Sequence, residues 1–477
     1  MQTDLFIGNA WTPAASGRRF DVINPATEDV LVTVAEGDAE DIDRAVAAAR
    51  ACFESAEWRG LSARKRGAML YRAADILASR LPEMAELETR QNGKPLFESK
   101  IDVSSTIETL RYYGGWCDKF GGETVPVDGN FLTYIRHEPI GVVGAIVPWN
   151  FPLNLAGWKF APALAAGCTV VLKPASETPL TALLMAEIFA EAGLPAGAFN
   201  VVPGHGSTAG SALVRHPGVD KISFTGSTAV GQRIMKDAAD TVKRLTLELG
   251  GKSPNIIFAD ADIAAAVRGA QTGIFYGKGE VCAAGSRLLV DRKIKDQVVE
   301  QLAERSRKLI PGDPFDKTTR LGAIVSKQQQ ESVLKYIGIG KAEGATVVAG
   351  GKAATVNGKG YFVEATIFDG VTPEMTIARE EIFGPVLAVL GFDDEEEAVA
   401  LANQSMYGLA AGIWSRDIGR AHRVAHAIRA GTVWVNTYNM YDPAAPFGGY
   451  KQSGFGRDLG RTALEGYTET KSVWIAL

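Results

Sequence analysis

The chain has 477 residues, of which 46% are hydrophobic and 22% are charged, a composition typical of a globular protein with two or three domains. Its net charge of −5 leaves no strongly basic surface, so we expect no nucleic-acid partner. The four cysteines contain no CxxC pair and the five histidines no HExxH motif. These absences argue against a disulfide framework and a catalytic metal, and they favour a reducing, cytoplasmic location.

In the first 120 residues, sequence patterns predict short strands followed by helices. Turn signals indicate strands up to residue 37, and the spacing of apolar residues predicts helices at about 38–58, 62–90 and 96–120. We expect this section to supply packing surface and little chemistry.

Residues 139–158 carry no charge and are numerous enough to span a bilayer as a helix. Pro139, Pro148 and Pro152 would break such a helix, so we predict a buried strand, a loop and a helix here, and no membrane partner. The N-terminus has neither the basic start nor the apolar core of a secretory signal.

After residue 140, short β-rich runs alternate with Ala-rich helical segments. The predicted strands are 142–147, 169–172, 199–202, 221–224 and 245–247, and the predicted helices are about 153–166, 179–192, 207–215 and 228–239. Such alternation predicts a parallel, doubly wound sheet with its ligand at the carboxyl ends of the strands. A second alternating block predicts a second α/β unit, with strands near 254–258, 286–290, 411–414 and 432–435.

Cys282 is the strongest candidate for a nucleophile. Its neighbours Gly279, Ala283 and Gly285 are small, and a thiolate is both a strong nucleophile and a good leaving group. The alternative is an inert buried cysteine, which is the role we expect for Cys52, Cys117 and Cys168.

Asn150, Lys173 and Glu248 each follow a predicted strand. Asn150 could donate to an oxyanion or only form a turn, and Lys173 could bind ribose or phosphate or extend into solvent. Glu248 has two functional interpretations, as a ribose ligand or as a general base near Cys282.

Gly226 and Gly231 flank a predicted helix start, where free N–H groups favour a phosphate. Their GxxxxG spacing lacks the GxGxxG dinucleotide fingerprint, and Gln232-Arg233 stands where a P-loop requires Lys-Ser/Thr. An ordinary turn between a strand and a helix is the alternative.

Six motifs in the same order resemble those of the aldehyde dehydrogenase superfamily, over the chain from about residue 5 to its end. They are Pro148-Trp149-Asn150-Phe151-Pro152, Phe224-Thr225-Gly226-Ser227, Leu247-Glu248-Leu249-Gly250-Gly251-Lys252, residues 279–287 around Cys282, Glu381-Ile382-Phe383-Gly384-Pro385 and Pro446-Phe447-Gly448-Gly449-Tyr450-Lys451.

The resemblance implies an α/β fold with three parts. These are a Rossmann-like doubly wound NAD(P)-binding domain (residues 1–120 and 140–250), an α/β catalytic domain (residues 251–450) and a small β oligomerisation domain (residues 121–139 and 451–477). It also implies a homo-oligomer, either a dimer or a tetramer.

The implied function is oxidation of an aldehyde to the carboxylic acid with NAD or NADP. Cys282 would form a thiohemiacetal and then a thioester, and Asn150 and the Cys282 N–H would hold the oxyanion. Glu248 would activate the water that hydrolyses the thioester, which makes acyl transfer to coenzyme A less favoured.

The resemblance assigns further residues to the cofactor and the substrate. The implied cofactor residues are Trp149, Lys173, Ser176, Gly206, Gly226, Ser227, Gly231, Glu381 and Phe383, with Lys173 also counted as catalytic. The implied substrate residues are Phe151, Trp158, Tyr441 and Phe447, an aromatic set that favours aliphatic or aromatic apolar aldehydes.

Two residues depart from the family pattern. Ser176 stands where NAD-preferring members commonly have an acidic residue that would repel a 2′-phosphate, so NADP use stays open. Asp458 replaces a glutamate that is proposed to relay protons.

Two rival hypotheses differ in class from a dehydrogenase. One is a cysteine-dependent esterase or thioesterase without redox turnover, because a thioester and a water-activating glutamate suffice for hydrolysis. The other is a non-catalytic structural protein that has this fold.

Overall fold

Two large, mainly parallel β-sheets with packed helices form the framework of the protein in a computed structural model, which describes residues 2–477. The first section contains short strands and packing helices. They are β1 (Leu5–Ile7), β2 (Ala10–Thr12), β3 (Arg19–Ile23), β4 (Val30–Ala35), α1 (Ala39–Glu54), α2 (Ala56–Arg59), α3 (Ala63–Ser79), α4 (Leu81–Asn92) and α5 (Leu96–Trp116).

The helix predicted at 62–90 is two helices. The chain changes direction at Arg80, and Pro82 lies in the first turn of α4. Proline has no N–H to continue the preceding helix but is tolerated in a first turn. The sequence-based prediction of one continuous helix was therefore wrong.

The next section alternates strands and helices as predicted. Its elements are β5 (Glu123–Thr124), β6 (Phe131–Pro139), β7 (Val142–Ile146), α6 (Pro152–Ala166), β8 (Thr169–Lys173), α7 (Leu180–Glu191), β9 (Phe199–Val201), α8 (Ser211–Arg215), β10 (Lys221–Thr225), α9 (Thr228–Asp237) and β11 (Arg244–Glu248). A π-helical turn at Gly206–Gly210 precedes α8, and a 3₁₀ turn at Ala239–Thr241 follows α9.

The second α/β section has more strands than the four predicted, because none of the strands between residues 346 and 408 was predicted. Its elements are β12 (Pro254–Ile257), α10 (Ile263–Phe275), β13 (Arg287–Asp291), α11 (Lys295–Arg307), α12 (Lys327–Ala342), β14 (Thr346–Ala349), β15 (Ala353–Val356), β16 (Lys359–Val363), β17 (Thr366–Asp369), α13 (Thr376–Arg379), β18 (Val386–Phe392), α14 (Glu395–Asn403), β19 (Tyr407–Gly408), β20 (Ala410–Trp414), α15 (Ile418–Ala427), β21 (Thr432–Val435), β22 (Tyr450–Lys451), β23 (Gly454–Phe455), α16 (Gly460–Glu465) and β24 (Thr468–Ala476). A 3₁₀ turn at Tyr276–Gly279 follows α10.

The first sheet has the strand order β2-β1-β9-β8-β7-β10-β11-β23, with β9 to β11 parallel. Successive residues of a strand point to opposite faces, so Val143 and Ala145 pack in one core while Val142 and Ile146 pack in another. The chain order reverses between β7 and β10. Ligands of such sheets bind outside the carboxyl ends of the strands at this reversal.

The second sheet has the order β14-β17-β18-β13-β12-β20-β21 and is parallel except for β14. A separate antiparallel sheet, β24-β6-β5, joins the C-terminal strand to residues 123–139. Residues 454–455, which we assigned to this oligomerisation part, pair instead with β11 of the first sheet. Among residues 2–477, no helix combines the length and apolar character needed to cross a membrane.

Candidate active site

The parallel strands of the first sheet deliver the predicted residues to one edge. Ile146 of β7 lies beside Lys173 of β8, and Thr225 of β10 lies beside Glu248 of β11. Because β7 and β10 also pair, the loops that follow them leave the sheet side by side. The residues gathered at this edge are Asn150, Lys173, Gly226 and Glu248.

A cleft of about 350 Å³ opens at this edge and contains Cys282. Its size lies in the range of small-molecule sites. Residues from the first sheet, from loops next to both large sheets and from α12 line it, and they are Pro148, Trp149, Asn150, Thr225, Gly226, Ser227, Leu249, Gly250, Cys282, Gln329, Ser332, Tyr336, Glu381, Ile382 and Phe383.

Cys282 is half-buried in the loop between the Tyr276–Gly279 turn and β13. Burial, followed by the charges of Glu381 and Glu248, raises the pKa of the Cys282 thiol to about 12. The thiol is therefore protonated in the resting site, and its attack on a carbonyl requires a base.

Glu248 is a buried carboxylate at the end of β11. It is 3% exposed, and neither of its oxygens has a hydrogen-bond partner within residues 2–477. Burial and then the charge of Asp458 raise its pKa well above the usual value, while Lys159 and Arg457 act in the opposite direction. A buried carboxylate with free oxygens and a raised pKa suits proton transfer.

Asp458 forms a buried ion pair near Glu248. Lys159 Nζ donates to Asp458 Oδ2 at 2.9 Å, and the two side chains are 0% and 1% exposed. Sequence analysis missed Lys159, although it is the only charged residue in the otherwise uncharged helix α6. A lone charge in such a helix is a usable signal, because a buried ammonium must find a partner.

Asn150 lies in the same cleft as Cys282 and is 4% exposed. Its Nδ2 donates one hydrogen bond to the Glu280 carbonyl at 2.8 Å. The second Nδ2 hydrogen has no protein partner in the described chain, so it is available to an oxygen bound beside Cys282. An amide hydrogen of this kind suits an oxyanion donor, and that role of Asn150 stays a prediction.

Gly226 and Ser227 lie at the start of α9 and line the cleft. Ser227 caps this helix by accepting a hydrogen bond from the Val230 N–H. Gly231 lies inside α9, where a side chain would overlap Leu249, so it permits close packing of the helix on the sheet. Its cofactor role stays a prediction.

Lys173 is buried and does not extend into solvent. Its Nζ donates to the carbonyls of Pro174 at 2.6 Å and Gly204 at 3.2 Å, and burial lowers its pKa to about 8. The ammonium is held at the edge of the sheet by backbone oxygens, which suits a role in binding hydroxyl groups.

Ser176 and Gly206 lie away from Cys282. Ser176 lines a neighbouring cleft of about 260 Å³ together with His205 and Lys327, and its hydroxyl is 3.2 Å from Glu177 Oε2. Gly206 is exposed at the start of the π-helical turn.

Glu381 and Phe383 lie on the opposite wall of the main cleft. Glu381 Oε1 accepts a hydrogen bond from the Gly251 N–H at 3.0 Å, and a side chain at Gly250 would overlap its carboxylate. Burial raises the pKa of Glu381 to about 7. Phe383 packs edge-on against Trp149 with ring centroids 5.1 Å apart.

Three of the four predicted substrate residues contact one another. Trp158, Tyr441 and Phe447 have ring centroids 5.4 to 6.0 Å apart. Phe151 instead stacks on Tyr276 at 6.4 Å. Tyr441 also lines an outer cleft of about 670 Å³, which connects this aromatic group with the surface.

Gln329 of α12 is a cleft residue that sequence analysis missed. Its Nε2 donates to the Phe383 carbonyl at 2.7 Å. It lies in the polar run Lys327-Gln328-Gln329-Gln330, which looks like an ordinary solvated helix face, so no local signal distinguishes it.

Comparison with known proteins identifies the relatives of this fold and site. The profile of the "Aldehyde dehydrogenase family" matches residues 11–473. The chain is 48% identical to the mitochondrial aldehyde dehydrogenase of Homo sapiens over 99% of this chain and 91% of that protein.

Solved structures agree with this match. The NAD+ complex of an aldehyde dehydrogenase from Bacillus cereus has a TM-score of 0.99 at 51% identity, covering 100% of this chain and 97% of that one. A variant of the P. syringae indole-3-acetaldehyde dehydrogenase with NAD+ and IAA has a TM-score of 0.98 at 48% identity, covering 100% and 97%. The predicted fold class, enzyme class and use of NAD or NADP are confirmed, and the chain belongs to the aldehyde dehydrogenase family.

Proposed function

We propose that the protein oxidises an apolar aldehyde to its carboxylic acid, with Cys282 as nucleophile and hydrolysis of the resulting thioester by Glu248-activated water. The observation that carries this proposal is one cleft shared by Cys282 and Asn150, with the buried, unpartnered Glu248 carboxylate at the end of the adjoining strand. This combination supplies a nucleophile, an oxyanion donor and a base.

The residues present fit a nicotinamide dinucleotide. The start of α9 at Ser227 suits a phosphate, Gly250 allows the Glu381 carboxylate to approach the backbone closely, and Glu381 and Lys173 can hold ribose hydroxyls. When bound, the nicotinamide ring supplies the hydride acceptor for the reaction.

Attack on the aldehyde begins with loss of the Cys282 proton, which the Glu248 carboxylate accepts directly or through water. The sulfur then bonds to the carbonyl carbon, and the charge that develops on oxygen is stabilised by Asn150 Nδ2–H and the Cys282 N–H. Closely packed, low-dielectric surroundings strengthen both hydrogen bonds.

Release of the acid uses the same groups. Transfer of hydride from the tetrahedral carbon to a bound nicotinamide would give the thioester, and Glu248 would release the Cys282 proton to solvent. Glu248 then takes a proton from water, the hydroxyl adds to the thioester carbon, and Asn150 again stabilises the oxyanion. The carbon–sulfur bond then breaks and the Cys282 thiolate leaves. The buried pair of Lys159 and Asp458 sets the electric field at Glu248 throughout.

The substrate proposal is an aliphatic or aromatic aldehyde without a second charged group. Trp158, Tyr441 and Phe447 form an apolar wall with no basic side chain among them. Arg457 donates to the backbone carbonyls of Gly449 and Gly456 and does not belong to this wall. The P. syringae relative, by its name, acts on an aromatic aldehyde.

Assembly, domain limits and location remain proposals. β24 and β6 expose large apolar side chains, which suits a homo-oligomer, a dimer or a tetramer. We also propose the three-domain division predicted from the sequence, except that residues 454–455 belong to the first sheet. A cytoplasmic location is supported by the four free cysteines.

The test is 340 nm absorbance with one medium-chain and one aromatic aldehyde, and with NAD and NADP in parallel. Wild-type protein should produce a steady rise and Cys282→Ala none. Glu248→Gln should lose about a hundredfold or more in both the first turnover and the steady-state rate, because Gln can accept neither the Cys282 proton nor a proton from water.

Two results would contradict the proposal. Ester hydrolysis that is independent of nucleotide, without aldehyde oxidation, would favour the esterase. No reaction, together with a Cys282 that is inert to iodoacetamide, would favour the structural protein.

A further inference from the structure

A second buried ion pair lies on the loop that carries the nucleophile Cys282. Lys278 Nζ is 2.8 Å from Glu280 Oε2, and both side chains are 1% exposed. Glu280 precedes Cys282 by two residues, so this pair belongs to the nucleophile loop itself. The mechanism proposed above uses neither side chain.

The backbone around Lys278 is unusual. Gly277, Lys278 and Gly279 have φ values of 57°, 62° and 75°, and this left-handed region is unfavourable for a residue with a side chain. A lysine held in it, with its ammonium buried, indicates that the interior contacts of that ammonium outweigh the cost.

Lys278 connects the nucleophile loop to the oxyanion-donor loop through one intermediate residue. Its Nζ donates to Asn92 O at 2.8 Å and to Asn92 Oδ1 at 2.9 Å. Asn92 Nδ2 in turn donates to the Trp149 carbonyl at 2.8 Å, and Trp149 precedes Asn150.

Glu280 makes two further connections. Its Oε1 accepts a hydrogen bond from the Val325 N–H at 3.1 Å, just before α12, whose Gln329 contacts Phe383. Its backbone carbonyl accepts the Asn150 Nδ2 hydrogen at 2.8 Å. A displacement of Glu280 would therefore move the oxyanion donor directly.

We propose that Lys278 and Glu280 are positioning residues that act as one unit and hold the Cys282 loop in register with Asn150. The inference rests on the proposed function, because that function defines the two groups being aligned. The unit also explains how a loop with three left-handed residues stays in one conformation.

Because Lys278 and Glu280 carry opposite charges, substitutions that remove one or both charges can test the unit. Removing one member leaves the other charge buried without its ion-pair partner, which is strongly unfavourable, whereas neutralising both together is often tolerated. Lys278→Gln and Glu280→Gln remove one charge each, and the double variant keeps polar side chains at both positions without charge.

We expect each single variant to lose about tenfold to a hundredfold in kcat, because small displacements of catalytic groups have effects of this size. The KM for the cofactor should not change, since the pair does not line the cofactor cleft. The double variant should recover most of the lost kcat. Lys295→Gln, which breaks the ion pair between Lys295 and Asp369 remote from the cleft, is the matched control and should keep wild-type kcat.

The inference is overturned if the single variants keep wild-type kcat, or if the double variant loses as much as the two single losses combined. If the single variants do not fold, the double variant decides. A folded, active double variant supports the unit, and one that is inactive or unfolded contradicts it.

Alkylation of Cys282 by iodoacetamide is a readout that does not require turnover. Each single variant should change the rate of Cys282 alkylation by about threefold or more relative to wild type. The double variant should restore the wild-type rate of alkylation. Absence of aldehyde oxidation in wild-type protein would contradict the proposed function, while this alkylation series would still test the positioning unit.

Discussion

At the scale of single residues, burial keeps water out of the site and also favours the protonated forms of Cys282 and Glu248. The same exclusion of water that would preserve a thioester raises the pKa of the Cys282 thiol and of the Glu248 carboxyl, because a charge is poorly solvated there. Glu248 in its ionised form raises the pKa of Cys282 further, and transfer of the thiol proton to Glu248 avoids two adjacent negative charges.

The first prediction concerns the ionisation of Cys282. With a pKa near 12, the thiolate fraction rises with pH throughout the range in which the enzyme is stable. The rate of alkylation by iodoacetamide without cofactor should therefore increase steadily from pH 7 to pH 10. Mass spectrometry with Cys282→Ala as control assigns the reaction, and a plateau below pH 8 would contradict the expected pKa.

Ser176 yields the second prediction. Ser176→Glu should lower kcat/KM for NADP by about tenfold or more and leave that for NAD little changed, because a carboxylate repels a 2′-phosphate. Initial rates with both cofactors test this, and Ser16→Glu on an exposed loop serves as control. Equal losses for the two cofactors would place Ser176 away from the 2′ position.

At the scale of elements, the base depends on three segments that are distant in sequence. β11 carries Glu248, α6 carries Lys159, and the loop before α16 carries Asp458. Tight packing of these segments excludes water from the ion pair, so its charges act on Glu248 with little screening.

The third prediction is that Asp458→Asn destabilises the protein by about 3 kcal/mol, since it leaves the buried Lys159 ammonium unpaired. The negative charge of Asp458 raises the pKa of Glu248, so its removal should lower that pKa. The acid limb of the kcat profile should then move to lower pH, because the base stays ionised there.

Urea unfolding and a pH–rate profile measure these two effects. A second substitution, Lys159→Met, should restore most of the stability by removing the unpaired charge. Unchanged stability in Asp458→Asn, or an acid limb that moves to higher pH, would contradict the interpretation.

At the scale of the whole molecule, the C-terminal strand β24 is an edge strand with one unpaired side. β24 pairs with β6 on one side and with no other strand in residues 2–477. Its Trp474 is 58% exposed, and the adjoining Phe131 is 44% exposed. An edge strand of nine residues with large apolar side chains tends to pair with another chain.

The fourth prediction is that Trp474→Asp weakens self-association. Light scattering after size exclusion should show wild-type protein at a multiple of 50.8 kDa and the variant at a smaller multiple. Ile418→Asp, at another exposed apolar position on α15, should leave the assembly unchanged. A monomeric wild type would remove the basis of the oligomer proposal.

Patterns within short windows predicted much of this fold. Strands of the first sheet are continuous apolar runs because both faces are buried, and they matched the structure closely. The missed central strand β18 has the same character in Val386–Phe392. Asn92 of α4 contacts both Lys278 and Trp149, so the packing section of residues 1–120 also reaches the loops of the candidate site.

The sequence by itself determined the family, the alternating α/β organisation and the residues placed after strand ends, because motifs and hydrophobic periods are local properties of the chain. Only the tertiary structure decided that Lys173 is buried, that Phe151 lies apart from the other three predicted substrate residues, and that Lys159 pairs with Asp458 across 299 positions. Such pairings depend on which surfaces meet when the two sheets pack. The spacing of residues along the chain does not show which surfaces pack together.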